Sequence, residues 1–373
     1  MTRTRSRKLL SSGVEELNLG TKGINVQRCG KSNLKREHIP ALDGLRGVAV
    51  LLVILFHAGV APYGWIGVDV FFALSGFLIT AILLDAKASG ARRGAYYLPF
   101  YTRRCLRIFP LAFGTMTFVF LIAPPLGLMP TVPIEEQVWY WTYLSNWWNE
   151  PRSVGAWNMS HFWSLALEEQ FYLIWPWIVL AASRRRLCWI CLAVLLLAPI
   201  LRFVVTLLPI PDPLERFYDR MTLLRMDGLA AGAFIAIIIR ETTRLDRYRQ
   251  LALLIFLISA AAFALLQWLA RASGANFVLG YSILAVGGAA CIVCILTSSP
   301  MFGCLTMRWL MWTGTVSYGA YVIHFPLVTT LALYGVQVNA IELLGATFGL
   351  AAISWYAFEA PILRLRLQRS AIA

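Results

Sequence analysis

Charged residues are scarce in this chain, and acidic residues are scarcer than basic ones. Asp, Glu, Lys and Arg make up 14% of its 373 residues, against about 25% in ordinary soluble proteins. Hydrophobic residues make up 59% and fall in long blocks, many of them near the length of about 20 residues that a helix needs to cross a bilayer. The shortage of charge excludes an ordinary soluble domain. It predicts an all-α, polytopic helical membrane protein with about ten transmembrane helices around a polar cavity.

The net charge of +14 would suit a nucleic-acid-binding protein, but its distribution indicates membrane topology instead. We assign ten hydrophobic spans, at residues 43–60, 65–84, 106–126, 162–182, 187–208, 223–240, 249–271, 277–298, 309–333 and 340–358. With residue 1 in the cytosol, about 26 of the 33 lysines and arginines lie on the inner side and about six on the outer side, as the positive-inside rule expects. We therefore expect a bacterial inner (plasma) membrane protein with both termini cytosolic and no nucleic-acid partner.

Two polar segments flank the spans. Residues 1–38 are basic, and no apolar stretch closely follows the first charges, so we expect a disordered cytosolic tail and not a secretory signal peptide. Residues 39–366 then form the membrane domain, and residues 367–373 form a cytosolic C-terminal tail.

Two Cys-x-x-Cys pairs, Cys188/Cys191 and Cys291/Cys294, have a spacing that indicates zinc in a water-soluble protein. Both pairs lie within or at the end of apolar spans, where burial disfavours the thiolate that a metal needs. We predict that these cysteines pack as small hydrophobic side chains and that no metal is bound.

The spans show no inverted repeat and no broken pair of helices in matching positions. Many transporters are built from such repeats, so the missing repeats weaken that class of function. Helix contacts are expected at small residues with a spacing of four, as at Gly228/Gly232 and Gly345/Gly349.

The first span carries Asp43, Arg46 and His57 in an otherwise apolar stretch. Ionisable residues at membrane depth are costly and usually face a bundle interior or a watery cavity. The eleven-residue spacing puts Arg46 and His57 within about 20° of one helix face and about 16 Å apart along the axis. The simpler explanation is that Arg46 reaches lipid headgroups and His57 is a hydrogen-bonded core residue. The pair on one face favours a functional site.

Two further ionisable residues reach a depth similar to that of His57. Counting about 1.5 Å per residue from the span ends places Glu168 and His324 there, and we predict that all three line one cavity as catalytic residues. His57 suits a general base because imidazole titrates near neutral pH, and Glu168 could orient it. Nearer the outer surface lie four residues that we place on the acceptor side: Asp69, Trp163, Arg225 and Asp227.

A different polar set collects at the inner ends of the spans. Arginine suits phosphate because its planar group donates two hydrogen bonds at once. Positive-inside topology alone would also explain arginines at this level, so both explanations stand for Arg104. We predict a donor-binding site at the cytosolic mouth of the cavity, formed by Asp43, Arg46, Arg104 and Arg107.

These two depths together suggest transfer of a group across the membrane. A cytosolic donor would bind its phosphate-bearing head among the arginines and present the reactive end of a long arm to His57, where an acceptor hydroxyl arrives from outside. Acetyl-coenzyme A, or another acyl-coenzyme A, has this shape and would be a co-substrate; no permanently bound cofactor is expected. Direct transfer and a transient acetyl-histidine both stay open. The alternative is a proton-coupled transporter or exporter of a small glycoconjugate, since Arg, His and Glu also build proton relays.

The outer loop at 127–161 is rich in tryptophan. Such side chains usually form a belt at the membrane interface, but a flat aromatic ring can also stack on the C–H face of a sugar. Both explanations stay open for Trp139, Trp141, Trp147, Trp148 and Trp157.

Five blocks of sequence resemble the membrane-bound acyltransferase 3 family, in order and from about Ile39 to Arg366. They are IPALDGLRGVAVLLVILFHAG, GWIGVDVFFALSGFLIT, FYTRRCLRIFPL, HFWSLALEEQFYLIWP, and SYGAYVIHFP with FEAPILR. The family's arginine-x10-histidine motif falls on Arg46 and His57, and its arginine-x-x-arginine motif falls on Arg104 and Arg107. The resemblance implies an acyl-coenzyme A-dependent O-acyltransferase that modifies hydroxyls of surface glycans, lipid-linked saccharides or secreted small molecules.

Members of this family are either fused to an extracytoplasmic esterase-like domain or stand alone. The sequence is similar to the stand-alone type, and within it to the rhizobial acetyltransferases that decorate lipochitooligosaccharide nodulation factors. The partners that the resemblance implies are acyl-coenzyme A, a carbohydrate or glycoconjugate acceptor and membrane lipid. No residue pattern indicates an oligomeric state.

Overall fold

The computed structural model describes residues 38–90, 93–148, 153–208, 218–242, 244–269 and 276–364, and these residues form helices and connecting turns without a β-strand. The described residues from Ile39 onward belong to one compact unit. Except for His38, the two predicted tails lie outside the described residues.

The described helices follow the hydrophobic blocks of the sequence. The α-helices are α1 (Pro40–His57), α2 (Ile66–Ala88), α3 (Arg93–Thr117), α4 (Ile134–Trp141), α5 (Val154–Trp157), α6 (Phe162–Ala181), α7 (Arg184–Thr206), α8 (Thr222–Arg225), α9 (Asp227–Ile239), α10 (Arg249–Leu269), α11 (Tyr281–Leu296), α12 (Arg308–Thr315), α13 (Ser317–Leu333) and α14 (Ala340–Ser354). Short 3₁₀ segments lie at Ser145–Trp147, Leu245–Tyr248 and Pro300–Thr306, and π-helical turns lie at Phe118–Ile122, Asn276–Gly280 and Trp355–Glu359.

Seven helical segments of the described chain are long and apolar enough to cross a membrane. They are Pro40–His57, Ile66–Ala88, Tyr96–Ile122, Arg184–Thr206, Leu245–Leu269, Phe277–Leu296 and Ala340–Arg364. Helices α12 and α13 count as an eighth if the pair, bent by 69°, is one span. The protein is therefore a polytopic helical membrane protein.

The structure has helices at all ten predicted positions, but two of them fall short of a spanning helix. Helix α9 has 13 residues, about 20 Å of helix, against a hydrocarbon core of about 30 Å. Helix α6 has 20 residues, but it is not among the segments that are apolar enough, and Glu168 and Glu169 lie in it. By length and composition, the described chain thus has seven or eight helices that meet the criteria for a span at the ten predicted positions.

Helices α2 and α9 pack closely through glycine. A Cβ atom added to Gly232 would lie 1.9 Å from the carbonyl oxygen of Ala73, and one added to Gly76 would lie 2.0 Å from that of Leu229. These contacts confirm the packing role predicted for Gly228/Gly232. The same prediction for Gly345/Gly349 was wrong, since a Cβ at either position meets nothing within 4 Å. Both of those glycines are on the exposed face of α14, whose buried face carries other residues.

Helix α1 is held against α12 in the same way. A Cβ atom on Gly314 would lie 1.9 Å from the carbonyl oxygen of Asp43, and one on Gly47 would lie 2.3 Å from that of Leu310. Such backbone approach needs residues without a side chain. It fixes the position of α1, which carries Arg46 and His57.

The two Cys-x-x-Cys pairs lie inside α7 and α11. Cys191, Cys291 and Cys294 are buried, Cys188 is partly buried, and all four thiols are free. The cysteines therefore pack as small hydrophobic side chains, as predicted.

Gly232→Ala should destabilise the protein by about 1–3 kcal/mol, because the new methyl group forces the backbones of α2 and α9 apart. The matched control is Gly345→Ala, which adds the same methyl group where nothing lies within 4 Å. Thermal unfolding in detergent measures both variants. Equal melting temperatures for the two would contradict the close contact between α2 and α9.

Candidate active site

A polar cavity lies where α1, α2, α3, α6 and α13 meet. It encloses about 710 Å³ of space, counting the part that opens to solvent. Its polar lining consists of Arg46, Ser75, Arg104, Arg107, Ser164, Glu168, Ser317, Tyr318 and Tyr321. Its apolar lining consists of Val68, Phe71, Phe72, Ile108 and Leu165.

Three arginines give this cavity an excess of positive charge. Arg104 and Arg107 lie three residues apart on α3, so they share a face of that helix, and Arg46 comes from α1. Arg46 Nη1 donates to Asp43 Oδ1 at 3.1 Å. The Nε atom of Arg104 is buried without a hydrogen-bond partner. Among the described lining residues, only one carboxylate accompanies these cations, so the cavity suits an anion.

Glu168 is that carboxylate, and its oxygens accept hydrogen bonds from one residue of α2 and one of α6. Ser75 Oγ donates to Glu168 Oε1 at 2.8 Å, and Tyr172 OH lies 3.2 Å from Glu168 Oε2. Within the described chain, Glu168 therefore belongs with the arginines and has no hydrogen bond to a histidine. The expectation that it orients His57 was wrong, because both its oxygens bond to Ser75 and Tyr172. The residue of this segment that lies beside the histidines is His161, which precedes α6 and is about 10 Å from Glu168 along the helix axis.

A cluster of histidines forms a second part of the site. His57 ends α1, and its Nδ1 atom lies 3.1 Å from His324 Nε2 in α13. The two rings are 5.0 Å apart between centroids, and the ring of His161 lies 5.3 Å from that of His324. His324 and His161 are buried, while His57 is partly exposed.

His161 is a member that the sequence reasoning missed. A signal was available, since the chain has four histidines and His161 lies at the outer end of the fourth predicted span. The local reason for its position is Pro326 in α13. Proline has no N–H, so it leaves the carbonyl four residues earlier without its helical partner. That carbonyl belongs to Val322, and His161 Nε2 lies 3.3 Å from it.

Tyr321 joins the cavity to the histidine cluster. Its side chain lines the cavity. Its OH group lies 2.5 Å from Ser164 Oγ and donates a hydrogen bond to the carbonyl of His161 at 3.0 Å. Its ring is 5.4 Å from that of His161 and 5.5 Å from that of His324. No histidine is among the described residues that line the cavity. The predicted single cavity around His57, Glu168 and His324 therefore holds for Glu168 alone.

Three of the residues assigned to the acceptor side are held in buried ion pairs. Arg225 Nη2 donates to Asp69 Oδ1 at 2.9 Å, and Arg202 Nη2 donates to Asp227 Oδ2 at 2.9 Å. All four side chains are at most 5% exposed. Arg202 was not predicted, and it neutralises Asp227. The charges compensate one another, which gives this network a structural role in joining α2, α7, α8 and α9.

Aromatic rings and one loop carboxyl surround the Arg225 guanidinium. Its carbon lies 3.5 Å from the ring centre of Tyr281 and 5.2 Å from that of Trp163, the fourth predicted acceptor-side residue. Tyr281 OH donates to Asp219 Oδ1 at 3.0 Å. Burial raises the pKa of the Asp219 carboxyl above its usual range, although Arg225 opposes the shift. Trp163 therefore packs against a charge that the protein already pairs.

The loop tryptophans make contacts within the protein. Trp139 and Trp148 have ring centres 4.9 Å apart, Trp147 Nε1 donates to Gln170 Oε1 at 3.1 Å, and Trp141 stacks on Phe113. These contacts leave both explanations, the interfacial belt and the sugar contact, in place.

A bundle of membrane-spanning helices with a polar cavity and ionisable residues in its interior defines an integral membrane protein with a buried site. Comparison with known proteins gives the family. The sequence pattern of the acyltransferase domain (Acyl_transf_3) matches residues 39–359. The chain belongs to the membrane-bound acyltransferase 3 family, as the sequence resemblance implied.

Curated relatives are similar over most of this chain. YrhL of Bacillus subtilis is 32% identical over 316 residues, which are 78% of this chain and 49% of the relative. The peptidoglycan O-acetyltransferase OatA of Listeria monocytogenes is 30% identical over 363 residues, 88% of this chain and 56% of the relative. The O-acetyltransferase OatA of Staphylococcus aureus is 28% identical over 364 residues, which are 87% of this chain and 57% of the relative. The chain thus spans about half the length of these relatives. No solved structure gives a significant match.

Asp227→Asn should destabilise the protein by about 3–5 kcal/mol, because it leaves the buried Arg202 cation without its counter-charge. The matched control is Asp85→Asn, which removes the partner of Arg240 at a site where the Asp85 side chain is 38% exposed. There the loss should be about 1 kcal/mol or less. Thermal unfolding in detergent compares the two. An Asp227→Asn protein of unchanged stability would speak against a structural role for the ion pair.

Proposed function

We propose that this protein is an integral membrane O-acetyltransferase that moves an acetyl group from cytosolic acyl-coenzyme A to a hydroxyl of a carbohydrate or glycoconjugate. The observation that carries the proposal is that Tyr321 lines the arginine-rich cavity and also packs against the cluster of histidines. Membership of the acyltransferase family favours this function over a proton-coupled transporter. The Listeria relative is named for peptidoglycan, which supports a glycan as the acceptor.

The cavity has the charge that a phosphate-bearing donor needs. Arg46, Arg104 and Arg107 line it. The guanidinium group of one arginine can donate two hydrogen bonds to a phosphate at once. Ser317 and Tyr318 also line it, and they begin α13. The partial positive charge of a helix N-terminus therefore adds to that of the arginines. Acyl-coenzyme A is a co-substrate in this scheme, and no permanently bound cofactor takes part.

His57 is the general base of the proposed reaction. It takes the proton of the acceptor hydroxyl while the hydroxyl oxygen attacks the carbonyl carbon of the thioester. The new C–O bond forms as the C–S bond breaks, and the sulfur leaves with the electrons of that bond. The proton held by His57 then passes to the thiolate, which gives free coenzyme A and restores the neutral imidazole.

The two ends of α1 give the reaction its direction. Arg46 lies in the second turn of α1 and His57 ends it, about 16 Å further along the axis. We place the arginine end at the cytosolic face of the plasma membrane, with both chain termini inside, because the positive-inside rule favours this orientation. The acceptor then reaches the partly exposed His57 from the outer side.

His57→Ala should lower acetyl transfer by at least about 100-fold, because the hydroxyl loses its proton acceptor. The assay uses purified protein, radiolabelled acetyl-coenzyme A and candidate glycans, peptidoglycan fragments and lipochitooligosaccharides among them. His38→Ala is the control, since it removes an imidazole that lies before α1 and outside the histidine cluster. Equal transfer by His57→Ala and wild type would refute the proposed base.

Arg104→Ala should raise the KM for acetyl-coenzyme A by about tenfold, the effect of losing roughly 1.4 kcal/mol of binding. It should leave the KM for acetyl-pantetheine, a donor without phosphates, nearly unchanged. Arg308→Ala is the matched control, because Arg308 is an exposed arginine that is not among the residues lining the cavity. If Arg104→Ala weakens both donors equally, or if Arg308→Ala behaves like it, the arginines do not bind the donor phosphates.

A further inference from the structure

The contacts around His324 decide which nitrogen of His57 can act as the base. We propose that His324 is a positioning residue that keeps a proton on Nδ1 of His57 and leaves Nε2 of His57 as the atom that takes the hydroxyl proton. This inference rests on the proposed function, in which His57 is the general base.

The proton on the His324 ring is located by a backbone carbonyl. His324 Nδ1 lies 2.7 Å from the carbonyl oxygen of Tyr321. A carbonyl oxygen only accepts hydrogen bonds, so His324 Nδ1 carries the hydrogen. A neutral imidazole has one N–H and one lone pair, and the Nε2 atom of His324 is therefore an acceptor.

The proton on the His57 ring follows from that result. His57 Nδ1 lies 3.0 Å from the carbonyl oxygen of Val53 and 3.1 Å from His324 Nε2. Both of these neighbours are acceptors, so His57 Nδ1 carries the hydrogen and shares it between them. The lone pair of the neutral His57 ring is then on Nε2. Without His324, this hydrogen would keep one acceptor, the carbonyl of Val53 in the same helix, and no contact from α13 would hold the ring in place.

Burial determines which of the two rings a substrate can reach. His324 is fully buried, while His57 is partly exposed at the end of α1. The Phe325 ring packs edge-on against His57 with centroids 4.6 Å apart, which limits rotation of the imidazole. The direction of the His57 lone pair is thus fixed by α13, and the substrate meets Nε2.

The same hydrogen bond stabilises the charged state of His57. When Nε2 takes a proton, the Nδ1–H group of the cation donates to His324 Nε2, and a hydrogen bond from a charged donor is roughly twice as strong as a neutral one. The partner is a neutral ring, so no permanent anion has to be buried beside the base. Glu168, the residue that the sequence predicted as the partner of His57, is hydrogen-bonded to Ser75 and Tyr172 instead.

Two variants of His324 separate positioning from simple packing. His324→Gln offers an amide oxygen as an acceptor for His57 Nδ1, whereas His324→Leu fills the space without an acceptor. We expect kcat to fall by about 100-fold in His324→Leu and to stay within about tenfold of wild type in His324→Gln. The KM for acetyl-coenzyme A should change little in either, because the donor phosphates bind elsewhere.

Nitrogen-15 NMR of histidine-labelled wild-type protein tests the proton positions without any activity assay. We expect the neutral His57 ring to have its hydrogen on Nδ1, with its signals assigned by their loss in His57→Ala. A neutral His57 with its hydrogen on Nε2 would overturn the inference, as would equal kcat values for His324→Leu and wild type. If His57→Ala itself retains full transfer, the proposed function has failed; if only the His324 results fail, His57 remains the base and His324 has no positioning role.

Discussion

Every charge buried in this bundle needs a partner from the protein or from a ligand, because lipid offers neither hydrogen bonds nor counter-ions. The described ionisable residues meet this requirement in two ways. In one network opposite charges are adjacent, and the pairs are Arg202 with Asp227 and Arg225 with Asp69. Around the cavity like charges gather, and these are Arg46, Arg104 and Arg107. The first network is complete as it stands. Asp43 pairs with Arg46 from outside the cavity lining, and the lining itself, with three arginines and one carboxylate, has a positive excess that an anionic ligand would neutralise. This difference separates the structural charges from the candidate donor site.

Glycine contacts, a helix bend and a proline also determine where the candidate catalytic residues lie. Glycine contacts hold α1 against α12, and the 69° bend between α12 and α13 turns α13 so that its first residues line the cavity. Further along α13, Pro326 frees a carbonyl that His161 contacts. A site built on packed helices in this way keeps its geometry better than one built on loops. The arrangement also explains why one helix contacts both parts of the site: α13 contributes Ser317 to the cavity and His324 to the histidine cluster.

The separation of the cavity from the histidines gives Tyr321 a central position. Its side chain lines the cavity and contacts Ser164, while its backbone carbonyl accepts the hydrogen bond of His324. In the proposed mechanism, a donor bound among the arginines would pass this residue before its thioester reaches His57. The two parts of the site are thus connected through one side chain rather than by the continuous cavity that the depth of the residues had suggested.

Relations within one helix could be predicted from the sequence, because the geometry of an α-helix is known in advance. The spacing of Arg46 and His57 predicted a shared face of α1. In the structure His57 contacts His324 of α13, and Arg46 lines the cavity to which α13 contributes Ser317. The apolar blocks likewise predicted the helices and the membrane, and the motif blocks predicted the family. These properties depend on local spacing and composition, which the sequence contains in full.

Relations between helices were decided by tertiary structure alone. Counting residues placed Glu168 at the depth of His57, but Glu168 bonds to Ser75, and the residue of that segment that joins the histidines is His161, about two turns earlier on the same face. The ion pair of Arg202 with Asp227 was missed for the same reason. Residue counting gives the position of a side chain along its own helix, whereas its neighbours depend on the tilt, axial offset and rotation with which each helix packs against the others. That arrangement is set by the sum of many contacts between distant segments, and no local pattern in the sequence specifies it.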